Sequence, residues 1–215
     1  IKRKKSYTNN IKDDDRKMEQ TVPVKNKKNI FKVICSVLGS LILVFLLLLL
    51  IARIYLNANY VSRYVSGTSM EPTLSGSAGE YHYLYLKKVD EETKINRFDI
   101  VALHKDEYND WIKRVVGLPH ETLSYQEGIL YINGQRIDEP FIHPSYFFNF
   151  NVEEIVLGEN EYYVIGDNRH DTTKSIIQRS QIYGINGFIF KTCTQPNKNG
   201  MGIFESGCKI TYKKL

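Results

Sequence analysis

The segment VSGTSMEPTL, residues 65–74, contains a serine whose setting could support chemistry. Ser69 would act as a nucleophile only with a nearby base to take its proton and with hydrogen-bond donors where an oxyanion develops. Gly67 would let the backbone approach a ligand closely, and Pro72 would stiffen the exit from the segment. The same composition is typical of an ordinary turn. The segment alone therefore leaves a turn and a nucleophile as open alternatives.

The segment DWIKRVVGLP, residues 110–119, offers a base of an unusual kind. A lysine accepts a proton only when it is neutral, which requires desolvation among apolar neighbours. Lys113 follows Trp111 and Ile112, and in a strand it would share one face with Val115. A solvated lysine at a strand edge fits this pattern too. None of the five histidines lies in a recognisable triad or an H-E-x-x-H motif.

Residues 33–52 form an uncharged run between Lys32 and Arg53. Twenty residues in a helix span about 30 Å, the thickness of a bilayer core. The run is apolar on every face, which disfavours a buried helix of a soluble protein. A cleaved signal peptide is disfavoured because no good small-x-small site follows. We therefore predict an uncleaved signal anchor over residues 30–56.

The net charge of +5 is unevenly distributed, because residues 1–32 carry +7 and the remaining 183 residues carry −2. Basic residues before a membrane span stay in the cytoplasm. We therefore expect a disordered cytoplasmic tail, residues 1–29, and an extracytoplasmic domain, residues 60–215. A nucleic-acid partner is the rival explanation of a basic tail. The positive-inside rule already accounts for these charges, so the expected partner is the lipid bilayer and not nucleic acid.

The region after residue 60 has the pattern of short strands. The segments EYHYLYLKKV, FDIVALHK and WIKRVVGL are rich in β-branched and aromatic residues. Glu127-Gly128 and Asn133-Gly134 predict two hairpin turns. Helical periodicity is limited to a predicted turn near residues 172–181. The sequence therefore predicts a mainly β domain, an antiparallel coiled sheet or barrel, after one membrane helix.

The three cysteines define no metal site. Cys35 lies in the membrane span, and Cys193 and Cys208 lie in the outer domain. A disulfide between those two is allowed in that compartment, and two free thiols are the alternative. No C-x-x-C spacing occurs. We expect neither a metal nor a cofactor.

Several segments in order resemble the bacterial type I signal peptidases, membrane-anchored serine proteases with a Ser/Lys dyad. GTSMEPTL resembles the nucleophile box, WIKRVVGLP the lysine box and VIGDNR the last box. RFDIVAL resembles an Arg-Gly-Asp-Ile-Val strand with Phe98 in place of glycine, and ILYINGQRIDEPFI resembles the hairpin that follows the lysine box. The resemblance covers about residues 30–190 and is greatest to the Gram-positive branch. It implies the β-rich catalytic fold of that family.

The resemblance also implies roles for residues of the boxes. Ser69 would be the nucleophile, with its N–H in the oxyanion hole, and Lys113 would be the general base. Gly67 occupies the position where some members carry a serine whose hydroxyl completes that hole. Arg114 would pair with Asp167 and hold two strands of the site in register.

The chain departs from the family pattern after Arg169, where it continues HDTTKSIIQRSQIYG. Counting along the chain puts Thr172 where a serine hydroxyl normally contacts the catalytic lysine. The same count puts Lys174 at the place of an aspartate and Ile176 at that of an arginine. The missing Asp-Arg pair would loosen the dyad, whereas a cation at Lys174 close to Lys113 would lower the pKa of Lys113 and help to keep it neutral. The sequence leaves these two effects as open alternatives.

Four apolar residues have two alternative locations. Met70 directly follows the nucleophile position and is expected to support the site. Together with Tyr146, Phe147 and Phe148, it fits either a membrane-facing rim or the core. We favour the core for each of them.

The expected function is an endopeptidase that removes signal peptides from exported pre-proteins at the outer face of the cytoplasmic membrane. The small-x-small segment of the substrate would bind as an added strand. Expected partners are signal peptides, the bilayer and the secretion machinery. The alternative is an accessory factor for surface-protein or pilus assembly with weak or no processing activity, suggested by the segment after Arg169. A self-cleaving regulator with the same dyad is disfavoured by the anchor.

Overall fold

The computed structural model describes residues 27–77, 79–106, 109–171, 173–194 and 207–215. The predicted tail, residues 1–29, lies outside this part except for its last three residues. The chain divides into two units, Ile1–Arg53 and Ile54–Leu215.

Helix α1, Lys27–Asn59, contains the apolar run. It begins three residues before the predicted anchor, residues 30–56, and ends three residues after it. Its large apolar side chains from Ile30 to Tyr55 are each at least half exposed. From Asn29 to Asn59 the helix is long and apolar enough to cross a membrane. Exposed leucines on every face are favourable in lipid and unfavourable in water.

The second unit is mainly β, as predicted, and its described strands form two antiparallel sheets. In chain order the strands are β1 (Tyr60–Tyr64), β2 (Gly76–Ser77), β3 (Glu80–Lys88), β4 (Ile100–His104), β5 (Asp110–Gly117), β6 (Thr122–Gln126), β7 (Ile129–Ile132), β8 (Gln135–Ile137), β9 (Val152–Val156), β10 (Glu161–Ile165), β11 (Ser175–Gln178), β12 (Ile182–Cys193) and β13 (Cys208–Lys214). The larger sheet has the order β1-β3-β12-β4-β5-β10-β11, with β2 on β3 and β13 on β12. The smaller sheet has the order β8-β7-β6-β9.

The two predicted hairpin turns are confirmed. Glu127 and Gly128 join β6 to β7 with φ of 52° and 78°, and Asn133 and Gly134 join β7 to β8 with φ of 51° and 73°. Two successive positive φ angles match the twist of antiparallel strands in a two-residue hairpin. The smaller sheet is thus built largely from local connections.

Two further predictions concern the C-terminal third. The predicted helical turn, residues 172–181, is instead the strand β11 followed by one 3-10 turn, Arg179–Gln181. β11 pairs with β10. Its backbone N–H and C=O groups therefore form hydrogen bonds within the sheet and not within a helix. Cys193 and Cys208 form a disulfide between β12 and β13, which decides the alternative left open by the sequence.

Apolar side chains from the larger sheet pack in two clusters, and a third lies against the smaller sheet. One of them joins the segment around Ser69 to the sheet, because Val65, Met70 and Leu74 pack there with Leu84 and Ile100. All five side chains are at most 4% exposed. The core therefore fixes the residues on either side of Ser69.

Candidate active site

Ser69 and Lys113 meet in a cleft of the larger sheet. Lys113 Nζ donates a hydrogen bond to Ser69 Oγ over 2.7 Å. Lys113 lies in β5, where it pairs with Val101 of β4. Lys113 is only 5% exposed, so protein surrounds the aliphatic part of its side chain. The two groups stand at the distance that a nucleophile and its base require.

The turn that carries Ser69 is held at both ends. Gly67 N–H donates to Gly76 O over 3.1 Å, and Gly67 has a φ of 93°, a conformation that side-chain-bearing residues rarely adopt. Leu74 N–H donates to Met70 O over 2.9 Å, which closes the turn. Gly67 therefore shapes the approach to Ser69, and its N–H is already bonded within the turn.

Burial lowers the pKa of Lys113 from 10.5 to about 8. The charges of Asp171 and Asp167 oppose this effect and raise the pKa. The Trp111 ring adds a weaker stabilisation of the cation, with its centroid 5.4 Å from Nζ. Desolvation lowers the pKa by more than the two carboxylates and the Trp111 ring raise it. A substantial fraction of Lys113 is therefore neutral slightly above neutral pH.

The predicted role of Lys174 in lowering that pKa is contradicted. Lys174 Nζ lies 4.2 Å from the centre of the Phe150 ring, and the charges that act on Lys113 are both acidic. Burial, and not a neighbouring cation, therefore lowers the pKa of Lys113. Thr172, predicted to contact Lys113, lies outside the described residues.

Arg114, the residue after Lys113, forms a buried ion pair with Asp167. Arg114 Nε and Nη2 donate to the two Asp167 oxygens over 2.8 and 2.6 Å. Thr73 Oγ1 donates to the same carboxylate over 2.5 Å. Asp167 is completely buried and Arg114 is 7% exposed. This bidentate pair joins the turn of Ser69, β5 and the segment after β10.

Phe98 completes the surroundings of Arg114. Arg114 Nη1 donates to Phe98 O over 2.8 Å, and the guanidinium lies 4.0 Å from the centre of the Phe141 ring. Phe98 has a φ of 73°, a region in which glycine is the ordinary residue. The departure from Arg-Gly-Asp thus falls where the backbone conformation favours glycine. The Phe98 ring packs edge-on against Phe141 at 5.0 Å.

The segment after Asp167 binds back onto the turn of Ser69. Asn168 N–H donates to Ser69 O over 3.1 Å, and Asn168 Nδ2 donates to Thr68 O over 3.2 Å. Thr68 Oγ1 donates to a carboxylate oxygen of Asp171. These contacts place an acid beside the dyad that the sequence analysis did not identify. Asp171 lies four residues after Asp167, but that spacing alone does not show that this segment folds back onto the turn of Ser69.

Met70 belongs to the core, since it is only 1% exposed and packs in an apolar cluster. Phe147 and Phe148 do not, because they are 44% and 47% exposed. The core assignment is therefore wrong for these two, which lie on the loop after a 3-10 turn, Pro144–Tyr146. Tyr146 is half-buried, and its hydroxyl donates to Glu71 over 3.3 Å.

The cleft has a volume of about 560 Å³. It is lined by residues 63–66 and 109–113 and by Ser69, Met70, Asp171 and Thr173. Apolar and charged groups therefore share one opening that leads to the nucleophile and its base.

Comparisons with known proteins identify the family of this chain. The family model described as signal peptidase, peptidase S26, matches residues 36–191. Signal peptidase I of Bacillus licheniformis is 31% identical over 180 residues, covering 77% of this chain and 91% of that protein. Signal peptidase I of Streptococcus pneumoniae is 34% identical over 160 residues, covering 73% and 71%.

A crystal structure of a signal peptidase I from Enterococcus faecalis is 28% identical, with a TM-score of 0.39, and covers 43% of this chain and 97% of that one. Together with the apolar helix near the N-terminus, the bacterial relatives indicate a membrane-anchored protein. The family model covers well over half of the chain. The chain belongs to the signal peptidase family, peptidase S26, and is a serine endopeptidase.

Proposed function

We propose that Ser69 is the nucleophile and Lys113 the general base with which this peptidase removes signal peptides from pre-proteins. The hydrogen bond of 2.7 Å between Lys113 Nζ and Ser69 Oγ carries the proposal. Burial, which lowers the pKa of Lys113 to about 8, supports it. A neutral amine at this distance can take the hydroxyl proton as the oxygen attacks.

The reaction proceeds in two stages. Ser69 Oγ attacks the scissile carbonyl carbon while Lys113 Nζ takes the hydroxyl proton, giving a tetrahedral oxyanion. Lys113 then returns that proton to the departing amine, and the signal peptide remains as an ester on Ser69. In the second stage Lys113 takes a proton from water, which attacks the ester, and returns it to Ser69 Oγ.

The main-chain N–H of Ser69 is the proposed oxyanion donor. Its peptide group is held through Thr68 O, which accepts hydrogen bonds from Glu71 N–H over 3.0 Å and from Asn168 Nδ2 over 3.2 Å. Two bonds to this carbonyl fix the peptide plane and therefore the direction of the N–H. Donors oriented before the reaction stabilise the oxyanion without reorganisation.

The substrate would bind as a strand in the cleft. Within the described part of the chain, β1 pairs only with β3, so one of its edges is open. β5 pairs with β4 along Ile112 and Lys113 but meets β10 only from Arg114 onward. An extended peptide could therefore pair with both open edges. Apolar lining from Val65, Met70 and Ile112 fits small apolar side chains of a small-x-small site.

The positive charge before the helix supports a cytoplasmic N-terminus and an extracytoplasmic catalytic domain. Contact with the secretion machinery stays a prediction. The accessory-factor alternative gains no support, because both dyad residues and their close contact are retained.

The proposal is tested with the full-length chain in detergent and a pre-protein that carries an Ala-x-Ala site. We expect Ser69→Ala and Lys113→Ala each to reduce cleavage by at least about 1,000-fold. Ser145→Ala and Lys87→Ala are matched controls at exposed positions and should cleave like wild type. Cleavage by Ser69→Ala at the wild-type rate would refute the proposal.

A further inference from the structure

One histidine of the strand β3 holds both ends of the turn that carries Ser69. His82 O accepts a hydrogen bond from Val65 N–H over 2.8 Å, and His82 N–H donates to Ser75 O over 2.9 Å. The imidazole adds a third bond, because its Nδ1 accepts a hydrogen bond from Ser75 N–H over 3.0 Å. A single residue is therefore bonded to the chain on both sides of Ser69.

The strand β3 is a firm support for these contacts. It lies between β1 and β12 in the larger sheet, and His82 itself pairs with Thr192 of β12. β1 ends at Tyr64, so Val65 and Ser75 continue the hydrogen bonding along that side of β3. His82 is 8% exposed. Protein therefore encloses its ring, and the ring is in place before substrate binds.

The contact with Ser75 decides which ring nitrogen of His82 carries the proton. A nitrogen that accepts a hydrogen bond from an N–H has no hydrogen of its own, so Nδ1 is unprotonated and Nε2 carries the hydrogen. Nε2 lies 3.2 Å from Glu80 Oε1, to which it donates. The Glu80 carboxylate thus stabilises the tautomer that binds Ser75.

The peptide group bound by the imidazole lies next to the hydrogen bond that closes the turn. Ser75 N–H belongs to the peptide group that follows Leu74, and Leu74 N–H donates to Met70 O over 2.9 Å. Met70 directly follows Ser69, and Met70 and Leu74 are both buried. Without an acceptor for its N–H, this peptide group would rotate toward another partner. The displacement would pass through Leu74 and Met70 to Ser69 Oγ.

The two arms of the turn also touch each other, so a shift in one arm moves the other. A Cβ placed on Gly76 would lie 2.6 Å from Val65 O and 2.8 Å from Gly67 N, a closeness that only glycine permits. Gly67 N–H donates to Gly76 O across this contact. A change at Ser75 therefore reaches Gly67, two residues before Ser69.

We propose that His82 is a positioning residue that keeps Ser69 Oγ within reach of Lys113 through the hydrogen bond from Ser75 N–H to its Nδ1. The inference rests on the proposed function of Ser69 and Lys113. The described residues that line the cleft do not include His82, so it acts through the turn and not on substrate. The open edges of β1 and β5, which would hold the substrate, stay unchanged, so His82 should affect kcat and not KM.

The test uses the full-length enzyme in detergent and a pre-protein that carries an Ala-x-Ala site. His82→Gln loses the acceptor at the position of Nδ1. His82→Asn keeps one, because Oδ1 of asparagine and Nδ1 of histidine are both bonded to Cγ. We expect kcat to fall about tenfold in His82→Gln with KM unchanged, and to stay within about twofold of wild type in His82→Asn.

His143→Gln is the matched control. His143 Nδ1 accepts a hydrogen bond from Ser145 N–H over 3.2 Å at an exposed site outside the cleft, so this variant removes the same kind of bond elsewhere. It should cleave like wild type. Wild-type kcat in His82→Gln, or an equal loss of kcat in His82→Gln and His82→Asn, overturns the proposal.

Hydrogen exchange of the wild-type enzyme covers the case in which variants of His82 do not fold. We expect the Ser75 amide, resolved with overlapping peptides, to exchange at least about 100-fold more slowly than the amides of the exposed turn Pro144–Tyr146. Equally fast exchange would overturn the proposal. Failure of the dyad is distinguishable, because it appears as unimpaired cleavage by Ser69→Ala and leaves the exchange of Ser75 unchanged.

Discussion

Lys113 Nζ and Ser69 Oγ lie 2.7 Å apart although 44 residues separate them along the chain. The strand β5 carries the lysine, and a turn held to the core by Met70 and Leu74 carries the serine. Both groups are therefore positioned by packing that does not depend on substrate. The arrangement joins a buried amine with a lowered pKa to a hydroxyl, and the following predictions rest on that combination.

The first prediction concerns pH. Lys113 is protonated and unable to accept a proton below its pKa of about 8, and it becomes neutral above that value. We expect kcat/KM for a signal-peptide substrate to rise with pH, with a midpoint near pH 8, and to reach a plateau at higher pH. Initial rates from pH 6 to 10 measure this directly. A rate independent of pH in this range would exclude Lys113 as the base.

The second prediction concerns Asp171, whose negative charge raises the pKa of Lys113 against the effect of burial. Asp171→Asn removes that charge and keeps an acceptor for Thr68 Oγ1. We expect the limb of the pH profile to move to lower pH, with higher activity at pH 7 relative to the plateau.

Asp138→Asn is the control for this variant, because Asp138 is exposed and pairs only with Arg136 among the described residues. Its profile should match wild type. A limb that stays in place in Asp171→Asn, or moves to higher pH, would contradict the assigned role of Asp171.

The third prediction concerns the buried pair of Arg114 and Asp167. Arg114→Met leaves the completely buried Asp167 carboxylate without its cation. We expect a loss of about 3–5 kcal/mol in the free energy of unfolding. Arg136→Met, at an exposed pair, should cost less than about 1 kcal/mol. Denaturant unfolding of the two variants makes the comparison, and equal losses would contradict it.

The fourth prediction links the base to stability. The folded protein lowers the pKa of Lys113 from 10.5 to about 8, so burying the ammonium opposes folding below pH 8. This cost fades as pH rises from 8 to 10.5, because the folded lysine is then neutral. Lys113→Met should therefore be inactive and about 1–3 kcal/mol more stable than wild type at pH 7. The difference should shrink toward pH 10, and a less stable variant at pH 7 would contradict the desolvation argument.

Local sequence signals predicted much of the fold. Asn133-Gly134 specifies a hairpin by its own conformational preferences, and the uninterrupted apolar run of residues 33–52 favours a long membrane helix. The strand β11 was missed because a four-residue strand with one buried side chain has little periodicity. Its pairing with β10 is a tertiary contact that no local pattern encodes.

The site shows the same division. Ser69, Lys113, Arg114 and Asp167 stand in recognisable segments, so their grouping could be predicted. The hydrogen bonds of Arg63 with Asp110 and Tyr183 at the cleft could not be predicted, because Arg63 lies 47 residues from Asp110 and 120 residues from Tyr183 along the chain. Only the curvature of the sheet brings β1 close to β5. Lys174 was assigned to the site by counting along the chain, and the path of the chain takes it to Phe150 instead.

The central claim is that Lys113 is a neutral base beside Ser69 at working pH. Its most direct test is the titration of the Lys113 side chain by NMR in protein labelled with 13C at the lysine ε carbons. The signal is assigned by its absence in Lys113→Arg. We predict a midpoint near pH 8, and a midpoint near 10.5, the ordinary value for lysine, would contradict the account.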